Sequence, residues 1–499
     1  MIGNGDGASS LGALDGSMRD FRYLPGADLL TRVEAFYGWQ QARRAAGVWP
    51  LGRSTEHGAF SRCSARTDEG ALFEGVNFAS QDYLSLNSHP AILETAIEAM
   101  REHGVHSAGS PALVGNTSLS IALEHKIAAF LDYEHVSIFP TGWAAGFGVI
   151  KGLVRPNDHI VMDALSHACL QEGAQAATRN IHLFRHNQIE GARDKLAKIR
   201  EKDAENGILV VTEGLFSMDS DTPDIKALQE LAHEYGATLV VDVAHDLGNL
   251  GPTGRGHIEI QNMLGKVDLV MGSFSKTFAS NGGFVASRTR SVKEYLRYYS
   301  SPNTFSNAMS PANAAIVGKA FDIIQSEEGA VLRDKLMANI LMLRKLLRGC
   351  DLEVYGEPSA IVCVKMGSEA LARLTSRRLP SLGMLANLVE FPAVPKGQAR
   401  FRLQVMANHS QHDIVDAVHR LSSAIADATD DLRGLDDGSV EVSSLNIDRP
   451  VAEPVSDRDG LKAAPLTHSR STGKSAGQGL RDIYDDTLPW AREQRISVK

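Results

Sequence analysis

The chain has 499 residues, 43% of them hydrophobic and 22% charged, and its net charge of −9 is spread without a basic block. That length suits two or more structural units with a large core, and that charge excludes nucleic acid as the main partner. There is no apolar run of about 18 residues to span a membrane, MIGNGDGASS has no signal-peptide pattern, and Cys63, Cys169, Cys350 and Cys363 lack metal-type spacing, so a cytoplasmic protein with reduced thiols is expected.

Residues 1–75 read as an N-terminal extension, Gly/Ser-rich to about residue 25. Within it Leu29, Leu30, Val33, Phe36 and Tyr37 recur at helical spacing before Gly47, which predicts one amphipathic helix over 27–47 that packs on the body or on a partner subunit. Residues 76–325 read as a large domain. NFASQDYLSLNSHP (77–90) and GVHSAGSPALVGNTSLSIALEHKIAAFL lead into VSIFPTGWAAGFGVI (136–150), a strand, a turn and a helix start. The first free N–H groups of such a helix, at Gly142 and Trp143, face whatever anion sits there. HIVMDALSHACLQEG then ends a strand near Asp163 and puts His167 on the loop that opens a helix. GILVVTEGLFSMDSDTPDI adds a strand and loop carrying Glu213 and Ser217.

TLVVD stops at Asp242 and VDLVMGS stops at Ser273, just before Ser275 and Lys276; continuous apolar runs of this kind suit parallel strands buried on both faces. Ligands of open α/β sheets sit at the carboxyl ends of the strands, so Asp242, His245 and Lys276 are expected to meet in one crevice. Pyridoxal phosphate needs a lysine to hold it as a Schiff base and a carboxylate to keep its pyridine nitrogen protonated; Lys276 and Asp242 fit those roles. The serines beside Lys276 and the close backbone of Gly282 and Gly283 suit its phosphate. A helix over 327–347 leads into a smaller domain, 326–429, containing FPAVPKGQARFRLQ. Residues 430–499 are polar, with scattered Gly, Ser and Pro, and read as a flexible tail in which only Tyr484, Leu488 and Trp490 offer a docking segment.

DVAH followed by GSFSK, with the VPKGQARFR run, resembles the α-oxoamine synthases, fold-type-I pyridoxal phosphate enzymes that include the 2-amino-3-ketobutyrate CoA ligases, 8-amino-7-oxononanoate synthases and serine palmitoyltransferases. The resemblance spans about Asn77 to Thr429. It implies an α/β fold: a large domain with a mostly parallel seven-stranded sheet and a smaller α+β C-terminal domain. It implies that Gly142 and Trp143 bind the cofactor phosphate, that His167 stacks on the ring, that Ser217 and His245 lie near the phenolic oxygen, and that Arg402 forks onto the substrate carboxylate. By the same resemblance Gln81 takes the place of an asparagine near the amino-acid substrate. Ser306 and Asn307 reach the neighbouring subunit's phosphate in a homodimer.

The implied reaction is decarboxylative condensation of a small α-amino acid with an acyl thioester, on CoA or an acyl carrier protein, to give an α-aminoketone. An aminotransferase or retro-aldol lyase would use the same lysine and aspartate; a catalytically silent partner subunit would lack Lys276. Several positions depart from the family pattern: Gln81, Pro111, Ser120, Val243 and Asp246. Asp246 places an unexpected negative charge near the site.

Overall fold

Two seven-stranded sheets share the chain. A computed structural model describes residues 12–436. The N-terminal part supplies β1 (Ser54–Thr55), β2 (Arg62–Arg66) and β3 (Leu72–Phe78). The middle supplies β4 (His135–Phe139), β5 (His159–Asp163), β6 (Ile181–Phe184), β7 (Ile208–Glu213), β8 (Thr238–Asp242), β9 (Leu269–Ser273) and β10 (Gly283–Ser287). The last four are β11 (Val354–Tyr355), β12 (Ile361–Gly367), β13 (Met384–Val389) and β14 (Ala399–Gln404).

The middle strands form one sheet in the order β4-β10-β9-β8-β7-β5-β6. Every neighbouring pair from β9 to β6 is parallel, and β10 alone runs antiparallel to its two neighbours. The apolar runs ILVVTE, TLVVD and LVMGS are buried almost throughout, as strands covered on both faces require. One covering layer is the pair of helices Gly142–Leu153 and Ala168–Ala177, whose Val149, Ile150, Leu170 and Ala174 join Val211, Val240 and Met271 in a single core.

The second sheet has the order β1-β2-β3-β13-β14-β12-β11. Strand β3 crosses the 75/76 boundary expected from the sequence and pairs in parallel with β13, so the segment before residue 76 is built into the second sheet. The helix expected over 27–47 is a 3-10 turn, Thr31–Val33, followed by an α-helix, Glu34–Ala45. Its packing face differs from the expected one. Leu29, Leu30, Val33 and Tyr37 are exposed, while Trp39 and Arg43 are buried. The reason is electrostatic as much as apolar: Glu390 lies between Arg43 (3.0 Å) and Arg373 (2.7 Å), and Arg43 is also sandwiched by the rings of Trp39 and Trp49.

The helix expected over 327–347 runs Glu327–Gly349. The last helix, Gln411–Asp436, passes the 429/430 boundary. Residues 430–436 are therefore helical, held by Asp431 on Arg378 (2.5 Å) and by Leu432 and Leu435 against Val48, Leu374 and Ala428. The rest of the expected tail, with Tyr484, Leu488 and Trp490, lies outside the described residues. No helix among the described residues is long and apolar enough to cross a membrane.

Candidate active site

The parallel register carries Asp163, Glu213, Asp242 and Ser273 to the same end of adjacent strands, and the loops that follow bring His167, Ser217, His245 and Lys276 to that rim. Asp242 is buried and accepts the Ala244 N–H at 2.8 Å. Burial pushes its pKa up to about 6 against the pull of the Lys276 ammonium. The same burial lowers the pKa of Lys276, with Asp242 and Glu213 opposing it. Glu213 lies beneath both: burial, reinforced by Asp242, raises its pKa well above the carboxylate range, and it accepts the backbone N–H of His167 at 2.5 Å. Lys276 thus shares the site with two buried acids, each with a pKa that burial raises.

His245 is neutral, its pKa driven well below the usual range by burial and by the charges of Lys276 and Arg402. Its Nδ1 lies 2.9 Å from the Tyr83 hydroxyl, which burial keeps protonated. Tyr83 also faces Gln404 Oε1, at 3.3 Å. The hydroxyl proton goes to Gln404 Oε1, which can only accept, so the Tyr83 oxygen accepts from His245 Nδ1. His167 caps the helix Ala168–Ala177, with Nδ1 2.9 Å from Cys169 Sγ. Its ring is open to the cleft on one side, yet enclosed enough that burial, then Lys276 and Arg402, hold its pKa near 4.

A phosphate-sized anion has a prepared cradle. Thr141 caps the helix Gly142–Leu153 and takes the Ala144 N–H on its own hydroxyl, leaving the N–H groups of Gly142 and Trp143 for an outside acceptor. A Cβ on Gly142 would come within 2.2 Å of Ser273 Oγ, so only glycine lets the helix end approach that hydroxyl. Ser275 Oγ lies 3.2 Å from Ser273 Oγ, completing a cluster of donors. The indole of Trp143 does not enter the cradle; it stacks on Phe147 of its own helix, 5.1 Å away. Helix amides and paired hydroxyls for a phosphate, a buried acid for a protonated ring nitrogen, and a buried amine match what pyridoxal phosphate presents.

Arg402 comes from β14 of the second sheet, where it pairs with Cys363. Its Nη1 reaches the Ser217 carbonyl, at 3.5 Å, and Met218 Sδ, at 4.0 Å, and its Nε is buried with no hydrogen-bond partner among the described residues. Its charge is felt at Lys276, His245 and His167. Gln81 and Lys276 line the same cavity of about 400 Å³, together with Ser80, Asn281 and Asn313.

Asn307 and Ser306 are not brought to Lys276 within this chain. Asn307 is exposed and bonded to His106 at 3.1 Å, and Ser306 bonds the Pro302 carbonyl. Asp246 does not add a free charge to the site: its carboxylate turns onto the backbone N–H of His257 (2.7 Å) and onto His257 Nδ1 (3.1 Å). Ser120 caps its helix with Thr117, and the Pro111 carbonyl accepts from Asn116, so both departures are absorbed locally. Tyr83 and Gln404 were missed by sequence reasoning. The one signal for Tyr83 was its place in SQDYL, where nothing local marks a phenol as buried.

The aminotransferase class I and II family model matches residues 74–421. A 2-amino-3-ketobutyrate coenzyme A ligase of Salmonella typhimurium is 33% identical over 344 residues, 69% of this chain and 85% of the ligase. A putative 8-amino-7-oxononanoate synthase 2 of Mycobacterium tuberculosis is 34% identical over 72% of this chain, but the match spans only 46% of that longer protein. A serine palmitoyltransferase from S. paucimobilis, solved with pyridoxal phosphate and myriocin bound, superposes with a TM-score of 0.75 at 26% identity, covering 81% of this chain and 99% of that one. The fold expected from the sequence, an α/β fold-type-I transferase with a mostly parallel seven-stranded sheet, is the one found. With cradle, buried acid and lysine on one rim, and these relatives beside it, the chain belongs to the α-oxoamine synthases, pyridoxal phosphate-dependent enzymes of the aminotransferase class I and II family.

Proposed function

We propose that this enzyme condenses a small α-amino acid with an acyl thioester, releasing carbon dioxide and the free thiol and leaving an α-aminoketone. The observation that carries the reading is the half-buried Arg402 guanidinium, whose Nε has no hydrogen-bond partner among the described residues and whose charge acts on Lys276 and His245. A planar donor fork there suits the amino acid's carboxylate. Bound pyridoxal phosphate supplies an electron sink for charge developing at the α-carbon. Gly142, Trp143, Ser273 and Ser275 hold its phosphate, and Lys276 is the residue bonded to it. Asp242, with its pKa near 6, is ionised at neutral pH and keeps a proton on the ring nitrogen. His245 and Ser217 would lie near the cofactor's phenolic oxygen, and His167 would cover the ring face against water. Once the amino acid has displaced it, Lys276 carries an amine of lowered pKa, suited to take the proton from Cα.

The carboxylate leaves as carbon dioxide while Arg402 has fixed its position, and Gln81 borders the space the donor must enter. A homodimer is part of the proposal. Val105, Leu113, Val114 and Phe305 stand exposed on two loops joined by the Ala308 N–H to Gly109 bond, and a second copy would cover them while meeting Ser306 and Asn307. The donor is carried on CoA or an acyl carrier protein, and a cytoplasmic setting follows from the reduced cysteines.

The test is chemical. Borohydride treatment of the cofactor-loaded protein, followed by peptide mapping, should place the label on Lys276. An amino acid by acyl-CoA matrix should then release thiol and carbon dioxide together. A label on another lysine, or a keto acid without thiol release, which is the outcome for an aminotransferase, would overturn the reading.

A further inference from the structure

His186 follows β6 and takes no part in the steps above. Its Nδ1 lies 2.9 Å from Asp163 Oδ1, and its Nε2 lies 3.1 and 2.9 Å from the two carboxylate oxygens of Asp221. Ionised carboxylates only accept, so a ring bonded to both must donate from both nitrogens and carry a charge. Burial disfavours that charge, yet the bonds to Asp163 and Asp221 outweigh it and push the pKa up to about 10. Solvent screens the arrangement weakly on the Asp163 side, where the carboxylate is 1% exposed and the imidazole 19%.

The two acids anchor different loops. Asp163 ends β5 and accepts the Leu165 N–H at 2.9 Å, while its carbonyl accepts Ser166, fixing the start of the turn that presents His167. Asp221 closes the loop after β7: its carbonyl accepts the Phe216 N–H at 2.9 Å, one residue before Ser217. Phe216 meets the His186 ring edge-on, with centroids 4.5 Å apart. Asn187 repeats the bridge. In a left-handed turn at φ 54°, it donates its N–H to Asp163 (3.0 Å) and its Nδ2 to Asp221 (3.1 Å).

We infer that the His186 imidazolium, clamped between Asp163 and Asp221, is a positioning residue that locks the His167 loop to the Ser217 loop and so sets the slot for the cofactor ring. The inference rests on the cofactor assignment proposed above. Neither loop has another described cation between them at this point. A neutral side chain at 186 would serve one acid and leave the other without its charged partner.

The experiment uses the full-length protein carrying His186→Gln, Asp221→Asn or both, each loaded with pyridoxal phosphate and compared with wild type. The expected result is a changed absorption spectrum of the bound cofactor at saturation and an affinity for it weaker by about tenfold, alike in the two single variants. The double variant should be no worse than either, because both break one clamp. A clamp that merely staples the fold would lower the melting temperature and leave the saturated spectrum and the affinity at wild-type values, which would overturn the inference. Asp221 is 29% exposed, so its variant supplies the answer if His186→Gln does not fold. Wild type run alongside separates the two failures. If it takes up no cofactor on Lys276, the proposed function falls; if it does and the variants match it, only the clamp falls.

Discussion

Asp246 stands four residues beyond Asp242 and points the other way: its Oδ2 accepts the backbone N–H of His257 at 2.7 Å and lies 3.1 Å from His257 Nδ1. A buried carboxylate at this place would otherwise add repulsion to Asp242, whose pKa it raises only as the smallest of the contributing causes. Close approach of backbone makes the turn possible. A Cβ on Gly256 would meet Asp246 Oδ2 at 2.6 Å and one on Gly214 would meet it at 2.7 Å.

Asp246→Ser should therefore act on stability and not on chemistry. Removing the carboxylate strands the His257 N–H and imidazole in a buried site, a loss of about 1–3 kcal/mol. Urea unfolding should show that loss, while cofactor affinity stays within about twofold of wild type. A large fall in cofactor affinity with unchanged unfolding would mean that Asp246 acts on the ring after all.

Arg402→Ala should weaken the amino acid and spare the cofactor. A charge-assisted bidentate contact contributes on the order of 2–3 kcal/mol, roughly a 30- to 150-fold loss in affinity. Spectral titration of the loaded variant with the preferred amino acid measures it. An unchanged dissociation constant would move the carboxylate role elsewhere.

How far the sequence revealed this site follows the range of the interactions involved. Asp242, Lys276 and Gly142 stand at ends of apolar runs or at a helix start, where one-dimensional pattern and strand register coincide. Tyr83 meets His245, and Gln404 meets Tyr83, only because β14 of the second sheet and the turn after β3 fold over the first sheet, a contact across 162 residues in the case of Tyr83 and His245. No local period encodes such a meeting. The N-terminal helix shows the converse error. Its apolar spacing pointed to Leu30 and Tyr37, but the buried triad of Arg43, Glu390 and Arg373 turned the helix so that Trp39 faces inward.

Cofactor binding should depend on pH through Asp242. Its folded pKa of about 6 is raised above the ordinary 3.8, so in the cofactor-free protein the folded state binds the extra proton between those values. Stability then falls as pH rises through that window, since ionising the buried carboxyl costs free energy. The cofactor requires the ionised form, and its affinity should run the opposite way, weakening as pH drops below about 6. Asp242→Asn supplies the control: it should bind weakly at every pH and lose this component of the profile. Parallel profiles for the two proteins would assign the titration to the cofactor itself.

The position of the last truncation that the protein tolerates follows from the final helix. Cutting after Thr429, where the family pattern ends, removes Asp431 from Arg378 and Leu432 and Leu435 from their contacts with Val48 and Leu374. Those contacts join the last helix to the helix Glu369–Arg378 and to the segment following the N-terminal helix, so their loss loosens three elements of the second sheet's cover. Burying a leucine contributes about 1.5–3 kcal/mol when complete, and these two are partly buried, so a drop in melting temperature of several degrees is expected for the cut after Thr429. A chain ending at Asp436 keeps every one of these contacts and should melt, bind pyridoxal phosphate and assemble as the full-length protein does. Equal melting of the two truncations would show that residues 430–436 contribute nothing to the body. A loss of cofactor on cutting at Asp436 would place part of the cofactor site in the residues beyond it. If instead only the Michaelis constant for the acyl donor rises, the segment around Trp490 serves the donor.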